Sequence, residues 1–307
     1  MKKIVSLCLV LILALQLCGC DMLRDYVFDS HFRDPTPEST APVESSGTTE
    51  PTDEPSLQPE PRVEDLVRVT DYIPSIRVDL RYSQLDNFTG KRIYEFSDVY
   101  LRYGTVKKLK VAVEALEKQG FGVKIWDGFR PVEAQGKLWK AYPDPTYVAN
   151  PKTGYSSHSK GNTLDLTITD RNGRDMTMPT EFDDFSAMAD RDYSDCSDEA
   201  RENAMILQTA MEQAGFTGYD KEWWHYSDTD EYPVDEFFKP LFVHRRYAQC
   251  NEFINLRAYP DFAANGFLQI LKNETFLVLA ELEAFYYVEY QGYRGYVTKG
   301  YAVPIES

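Results

Sequence analysis

Basic residues are in short supply. The 307-residue chain has 33 Lys and Arg against 49 Asp and Glu, a formal charge of −16. That balance argues against a nucleic-acid partner and disfavours electrostatic docking onto anionic lipid. Cysteine is scarce too, with five residues. Cys196 and Cys250, far from the N-terminus, lack the Cys-x-x-Cys spacing of a thiolate metal or redox site. They are left either as a disulfide or as buried free thiols. Long apolar runs are missing except for Ile4 to Leu17, which is too short to span a bilayer comfortably. What remains, 43% hydrophobic and 27% charged, is ordinary globular composition.

The N-terminus has the layout of an export signal. Lys2 and Lys3 precede the apolar run, which ends in Leu17-Cys18-Gly19-Cys20. This ending resembles the lipobox of bacterial lipoproteins. The resemblance implies removal of residues 1–19, lipid on the Cys20 sulfur, and anchoring to the outer face of a bacterial cell membrane. The alternative is an ordinary secretory signal with unrelated cysteines. Residues 20–62 are rich in Pro, Ser, Thr and Glu from Arg33 onward and cannot bury a core, so a disordered tether is expected there.

Folded sequence is expected from Val63. Val106, Leu109, Val113 and Leu116 share one face of a helix over Thr105–Gln119, with Thr105 as its cap and Gly120 at its end. A strand is expected over Phe121–Trp126, then a turn at Asp127-Gly128, then a helix from Pro131 to about Tyr142. Thr163–Thr169 alternates cleanly, turning Leu164, Leu166 and Ile168 to a core and Asp165 and Thr167 away from it. A further helix is expected over Asp198–Ala214. Mixed helices and short strands indicate an α+β domain over residues 63–243. Beyond Pro240, short β-rich runs separated by turn residues predict a small all-β barrel or sandwich.

Two segments carry the chemistry. SSHSKGNTLD, residues 156–165, places His158 and Asp165 seven positions apart; EWWH places Glu222 and His225 three apart. Two imidazoles and one carboxylate can hold a zinc ion and leave a position open for water, with the second carboxylate free for proton transfer. That combination predicts a metal-dependent hydrolase. Competing bland roles exist for each residue: a hydrogen-bonded structural His158, a salt bridge or turn cap at Asp165, a core-filling His225 and a surface Glu222. Strict strand alternation would put Glu222 and His225 on opposite faces, so the metal reading requires a loop or bulge there.

SSHSKGNTLDLT and EWWH, together with WDGFRP (residues 126–131) and MPTEFD (residues 178–183), resemble the D-alanyl-D-alanine dipeptidases of the vancomycin-resistance type, a group of zinc peptidases. Pro179 stands where that family usually has Gly. The resemblance covers roughly Val63 to Val243. It implies one zinc per chain held by His158, Asp165 and His225, with Glu222 as general base. It further implies that Arg130 stabilises the oxyanion, that Ser156 contacts substrate and that Asp183 pairs with the substrate's free amine. Without the resemblance, Arg130 reads as a structural salt bridge and Asp183 as a helix cap. Residues 247–305 resemble a bacterial SH3-like domain through Ile254–Arg257, Tyr286–Tyr290 and Gly295–Val297, which implies binding to peptidoglycan or packing on the catalytic neighbour. Two alternatives stand beside the dipeptidase: a D,D-carboxypeptidase or other stem-peptide hydrolase using the same zinc site, and a wall-binding lipoprotein with a weak catalytic domain.

Overall fold

The computed structural model describes residues 58–248 and 252–304. The signal-like segment, Cys20, Cys250 and most of the expected tether lie outside these residues. Gln58 and Arg62, at the end of that tether, are in contact with folded chain: Gln58 Oε1 accepts from Arg294 N, and Arg62 pairs with Asp65.

A five-stranded mixed sheet organises residues 77–228. Its members are β2 (Arg77–Val78), β4 (Gly122–Asp127), β5 (Thr163–Thr169), β6 (Phe216–Tyr219) and β7 (Glu222–Asp228), in the order β2-β4-β5-β7-β6. Only the β2–β4 pair is parallel. On central β5, Leu164, Leu166 and Ile168 are wholly buried among residues of α1 (Tyr103–Lys118) and α3 (Asp198–Gln213), including Leu109, Leu116, Leu207 and Met211. The expected alternation therefore holds, but the other face is not solvent. Asp165 and Thr167 are buried as well, and Asp165 lines a cleft on that face.

The helix α1 begins two residues before the expected Thr105 cap. Arg102 is its N-cap and makes no side-chain cap bond, while the Thr105 hydroxyl donates to Asp228 Oδ2 at 2.7 Å. A tertiary acceptor has taken the hydroxyl that sequence logic assigned to the helix end. The helix α2 spans Val132–Ala141, with Pro131 as N-cap. Ser197 caps α3, its hydroxyl accepting from Ala200 N at 3.2 Å. The short strands β1 (Leu66–Arg68) and β3 (Tyr100–Arg102) form a separate antiparallel pair.

The C-terminal region is β-rich and antiparallel. It comprises β8 (Lys239–Ala248), β9 (Phe253–Arg257), β10 (Gly266–Leu271), β11 (Thr275–Glu281), β12 (Phe285–Tyr290), β13 (Tyr293–Thr298) and β14 (Ala302–Pro304). Their order is β10-β9-β13-β12-β11-β8-β14. Among the described residues the end strands β10 and β14 do not pair, so the sheet is open rather than a closed barrel. Leu279, Phe285, Tyr287 and Tyr296 pack against Leu66, Tyr100, Phe129 and Phe238, so this region shares a core with the part of the chain before it. Beside that core, Arg68 and Arg294 alternate with Asp71 and Glu289 in a half-buried ion-pair quartet.

Candidate metal and substrate cleft

Three local devices converge on the polar face of β5. The first is a 3-10 turn, Ser157–Lys160, entered through Ser156, whose hydroxyl accepts from His158 N at 3.3 Å, and closed by Gly161 at φ 77°. Only a glycine suits that exit: the conformation is left-handed, and a Cβ would lie 2.5 Å from Leu66 Cδ2. His158 Nδ1 stands 2.9 Å from Gly128 O. A carbonyl only accepts, so Nδ1 carries the hydrogen and Nε2 is left with its lone pair. That Nε2 is 3.4 Å from Asp165 Oδ2.

The second device is a bulge in β4. The register shifts between Ile125 and Asp127, bringing Asp127 opposite Asp165. The expected turn residue Asp127 is thus a fully buried strand carboxylate. Its Oδ2 accepts from Arg130 Nε and Nη2 at 3.1 and 2.6 Å, and its Oδ1 accepts from the Tyr94 hydroxyl and Gly128 N at 2.7 and 2.9 Å. Arg130 also donates to Gln135 Oε1 at 2.9 Å, and its guanidinium lies over the Tyr82 ring. Burial opposes the Arg130 charge, but Asp127 outweighs it and holds the guanidinium firmly protonated.

The third device is the bulge that the metal reading required. Gly218 pairs with Tyr226, yet the next β6 residue, Tyr219, pairs with Glu222. The residues Trp223 to His225 are looped out between those pairs, and Glu222 and His225 come to one side. His225 Nδ1 is 3.1 Å from Asp165 Oδ1 and 3.4 Å from Glu222 Oε2. The rings of His158 and His225 are 5.1 Å apart at their centroids.

All seven expected site residues, Arg130, Ser156, His158, Asp165, Asp183, Glu222 and His225, line one cleft of about 220 Å³. Asp183 is no helix cap. It sits in a loop at φ 60° and accepts the Tyr82 hydroxyl at 3.1 to 3.2 Å. A non-glycine residue in that conformation stores strain of the kind found at functional sites. At the cleft mouth the Tyr219 hydroxyl donates to Thr146 O at 3.0 Å, joining β6 to the loop after α2. Tyr82, Asp127, Gln135 and Arg191 belong to this shell but did not stand out as sequence candidates. Asp127 alone carried a signal, by lying inside WDGFRP; the others depend on contacts between distant segments.

The donors suit a divalent cation. His158, Asp165 and His225 each offer a ligand atom, all within 4.8 Å of one another. Asp165 Oδ1 is buried and receives no hydrogen bond, although His225 Nδ1 lies close by. Burial pushes the Asp165 carboxyl up, but the two imidazoles outweigh it and hold it below the usual carboxylate range. Burial lowers His225, favouring the neutral ring that binds metal. Burial raises Glu222, reinforced by the charges of Asp165 and Asp183; it also raises Asp183, reinforced by Asp165. Four acidic side chains therefore crowd around Arg130, two of them raised by burial and by their neighbours' charge, a crowding that a cation would relieve.

The chain is also similar in sequence to known proteins. The sequence profile of the peptidase M15 family, described as D-ala-D-ala dipeptidase, matches residues 62–251. A D-alanyl-D-alanine dipeptidase of Escherichia coli (strain K12) is 32% identical over 177 residues, covering 56% of this chain and 91% of its own. Its Enterococcus faecium counterpart is 33% identical over 190 residues, covering 55% and 94%. That of Enterococcus faecalis (strain ATCC 700802 / V583) is 31% identical over 183 residues, covering 53% and 91%. A cleft joining a His–Asp–His ligand cluster to a buried Glu, in a chain with these relatives and this profile match, leads to one assignment: the chain belongs to the D-Ala-D-Ala dipeptidase family of M15 peptidases.

Proposed function

We propose that the protein is a zinc metallopeptidase hydrolysing D-alanyl-D-alanine, with one zinc per chain held by His158, Asp165 and His225. The observation that carries this is the meeting of that trio with Glu222 and Asp183 in one small cleft. A bound zinc would supply Lewis acidity to the attacking water and to the amide carbonyl. The chain's own groups do the rest. Glu222 accepts a proton from the water as the new C–O bond forms, then delivers one to the departing amine as the C–N bond breaks. Its buried position beside His225 puts it within reach of a water held at the trio. Arg130, already oriented by Asp127 and Gln135, faces charge developing on the carbonyl oxygen. Asp183 binds the substrate ammonium, which would restore its ionised form, and Ser156 contacts substrate from the 3-10 turn.

A carboxylate lining so small a cleft favours dipeptides over longer chains, since it would pair with a free N-terminal amine. The competing reading, a D,D-carboxypeptidase acting on stem peptides, uses the same zinc site. Product analysis after incubation with D-Ala-D-Ala or a pentapeptide stem, with and without zinc restored after chelation, separates them. Zinc-dependent cleavage of the dipeptide in preference to the pentapeptide is expected; the reverse preference would establish the carboxypeptidase.

The proposal extends to location. Lys2, Lys3, the apolar run and Cys20 support export and lipid anchoring at the outer face of a bacterial membrane. There the enzyme would meet dipeptides and peptides released from wall turnover. The SH3-like motifs support a peptidoglycan-binding role for the C-terminal region, which co-sedimentation of the full chain with purified sacculi would test.

A further inference from the structure

Bulging a strand leaves backbone groups without ladder partners, and buried carbonyls need donors. In β7 the looped-out segment Trp223 to His225 has no opposing residues on β6. The two carbonyls at its ends, those of Trp223 and His225, are nevertheless satisfied. Arg191 Nη2 donates to Trp223 O at 2.9 Å and to His225 O at 2.8 Å. Nε donates to Tyr219 O at 3.0 Å, on the strand opposite. Nη1 reaches the Tyr226 hydroxyl at 3.2 Å, and the guanidinium carbon stands 4.3 Å from the Tyr226 ring centroid. The Arg191 backbone N–H donates to Asp220 O at 3.0 Å, fixing the near end of the side chain. One planar fork thus spans both edges of the bulge.

The opposing strand is shaped to admit that fork. A Cβ on Gly218 would lie 2.2 to 2.6 Å from three atoms of the Arg191 guanidinium, and Gly218 has no positive φ to explain its choice. Glycine here leaves room for a side chain from another segment. No carboxylate pairs with Arg191 among the described ion pairs; its hydrogen bonds go to main-chain carbonyls and one hydroxyl.

We infer that Arg191 is a positioning residue: its guanidinium holds the β7 bulge that turns Glu222 and His225 to the same side of the strand, and Gly218 provides the space for it. Lysine cannot replace it, because a single ammonium on a flexible stem cannot bridge three carbonyls in fixed directions. The inference rests on the proposed roles of Glu222 and His225; Arg191 holds the His225 backbone carbonyl and hydrogen-bonds to neither of those two side chains.

The test uses full-chain protein carrying Arg191→Ala, Arg191→Lys, Gly218→Ala and the Arg191→Ala/Gly218→Ala pair. Zinc affinity is measured by chelator competition and dipeptide turnover as kcat and KM. Supporting residues around metal sites characteristically contribute 10–100-fold to affinity or activity. Each single variant is expected to lose roughly that much in zinc affinity and kcat. The pair should be no worse than Arg191→Ala alone, because both changes remove the same contact. Millimolar guanidinium should restore part of the loss in Arg191→Ala and none in Gly218→Ala, where the space is filled. A residue acting only through general stability would not produce that contrast. Unchanged zinc affinity and kcat in folded Arg191→Ala and Gly218→Ala would overturn the inference while leaving the enzyme assignment intact. If wild-type protein itself takes up no zinc, the metal reading fails separately. The bulge is then read from backbone hydrogen exchange at residues 222–226, which Gly218→Ala accelerates if the clamp exists and leaves unchanged if it does not.

Discussion

At the scale of single residues, the proposed roles separate groups that hold from groups that act. His158 is oriented by the Gly128 carbonyl, and Arg130 by Asp127 and Gln135. Glu222, in contrast, contacts His225 from the edge of the ligand cluster and is not needed to complete it. Glu222→Ala is therefore expected to retain zinc by elemental analysis while turnover falls by about 10²–10⁴-fold, the usual worth of a positioned general base. Near-normal dipeptide hydrolysis in that variant would remove the base assignment. Asp127 leads to a second expectation. It is the carboxylate partner of a fully buried guanidinium, so Asp127→Ala strands a buried charge at a cost of ~3–5 kcal/mol. Urea unfolding would read this as a lower midpoint; a midpoint equal to wild type would mean that Arg130 is solvated or paired elsewhere.

At the scale of elements, the turns rather than the strands decide the site. Gly161 ends the His158 turn in the left-handed region, with the Leu66 side chain where a Cβ would go. Gly161→Ala should cost about 2 kcal/mol from conformation alone, with overpacking added. It should also weaken zinc binding by shifting His158; loss of stability with zinc affinity untouched would show that the turn does not set the ligand. Much of this element map was legible in advance. The stripes of α1 and α3 and the alternation of β5 follow from periodicity, which local sequence records directly. The need for a bulge at Glu222–His225 was legible as well, since strand geometry forbids the alternative. What supplies that bulge was not legible, because Arg191 lies outside every motif and acts only after β6 and β7 have paired. The Thr105 hydroxyl misled for the same reason: its acceptor, Asp228, is far along the chain.

At the scale of the whole molecule, the two regions are joined rather than tethered. Phe129, between the Gly128 carbonyl that orients His158 and Arg130, packs in a core completed by Leu279, Phe285, Tyr287 and Tyr296. Leu279 and Phe285 alone, at ~1.5–3 kcal/mol each when fully buried, are worth roughly 3–6 kcal/mol as an upper bound. That is a sizeable share of the ~5–15 kcal/mol that stabilises a typical protein. Truncation after Val243 should accordingly lower the melting temperature sharply or yield aggregate, and it should impair turnover if folded protein survives. A truncated chain that melts and turns over like wild type would show that the shared core contributes little. The central claim, a single ion gripped by residues from two distant segments, is tested most directly by zinc content in purified wild-type and His158→Ala protein. About one zinc per wild-type chain, the stoichiometry of a three-ligand catalytic site, and well under one in the variant is the predicted result. Equal zinc in the two proteins, or none in either, would contradict it.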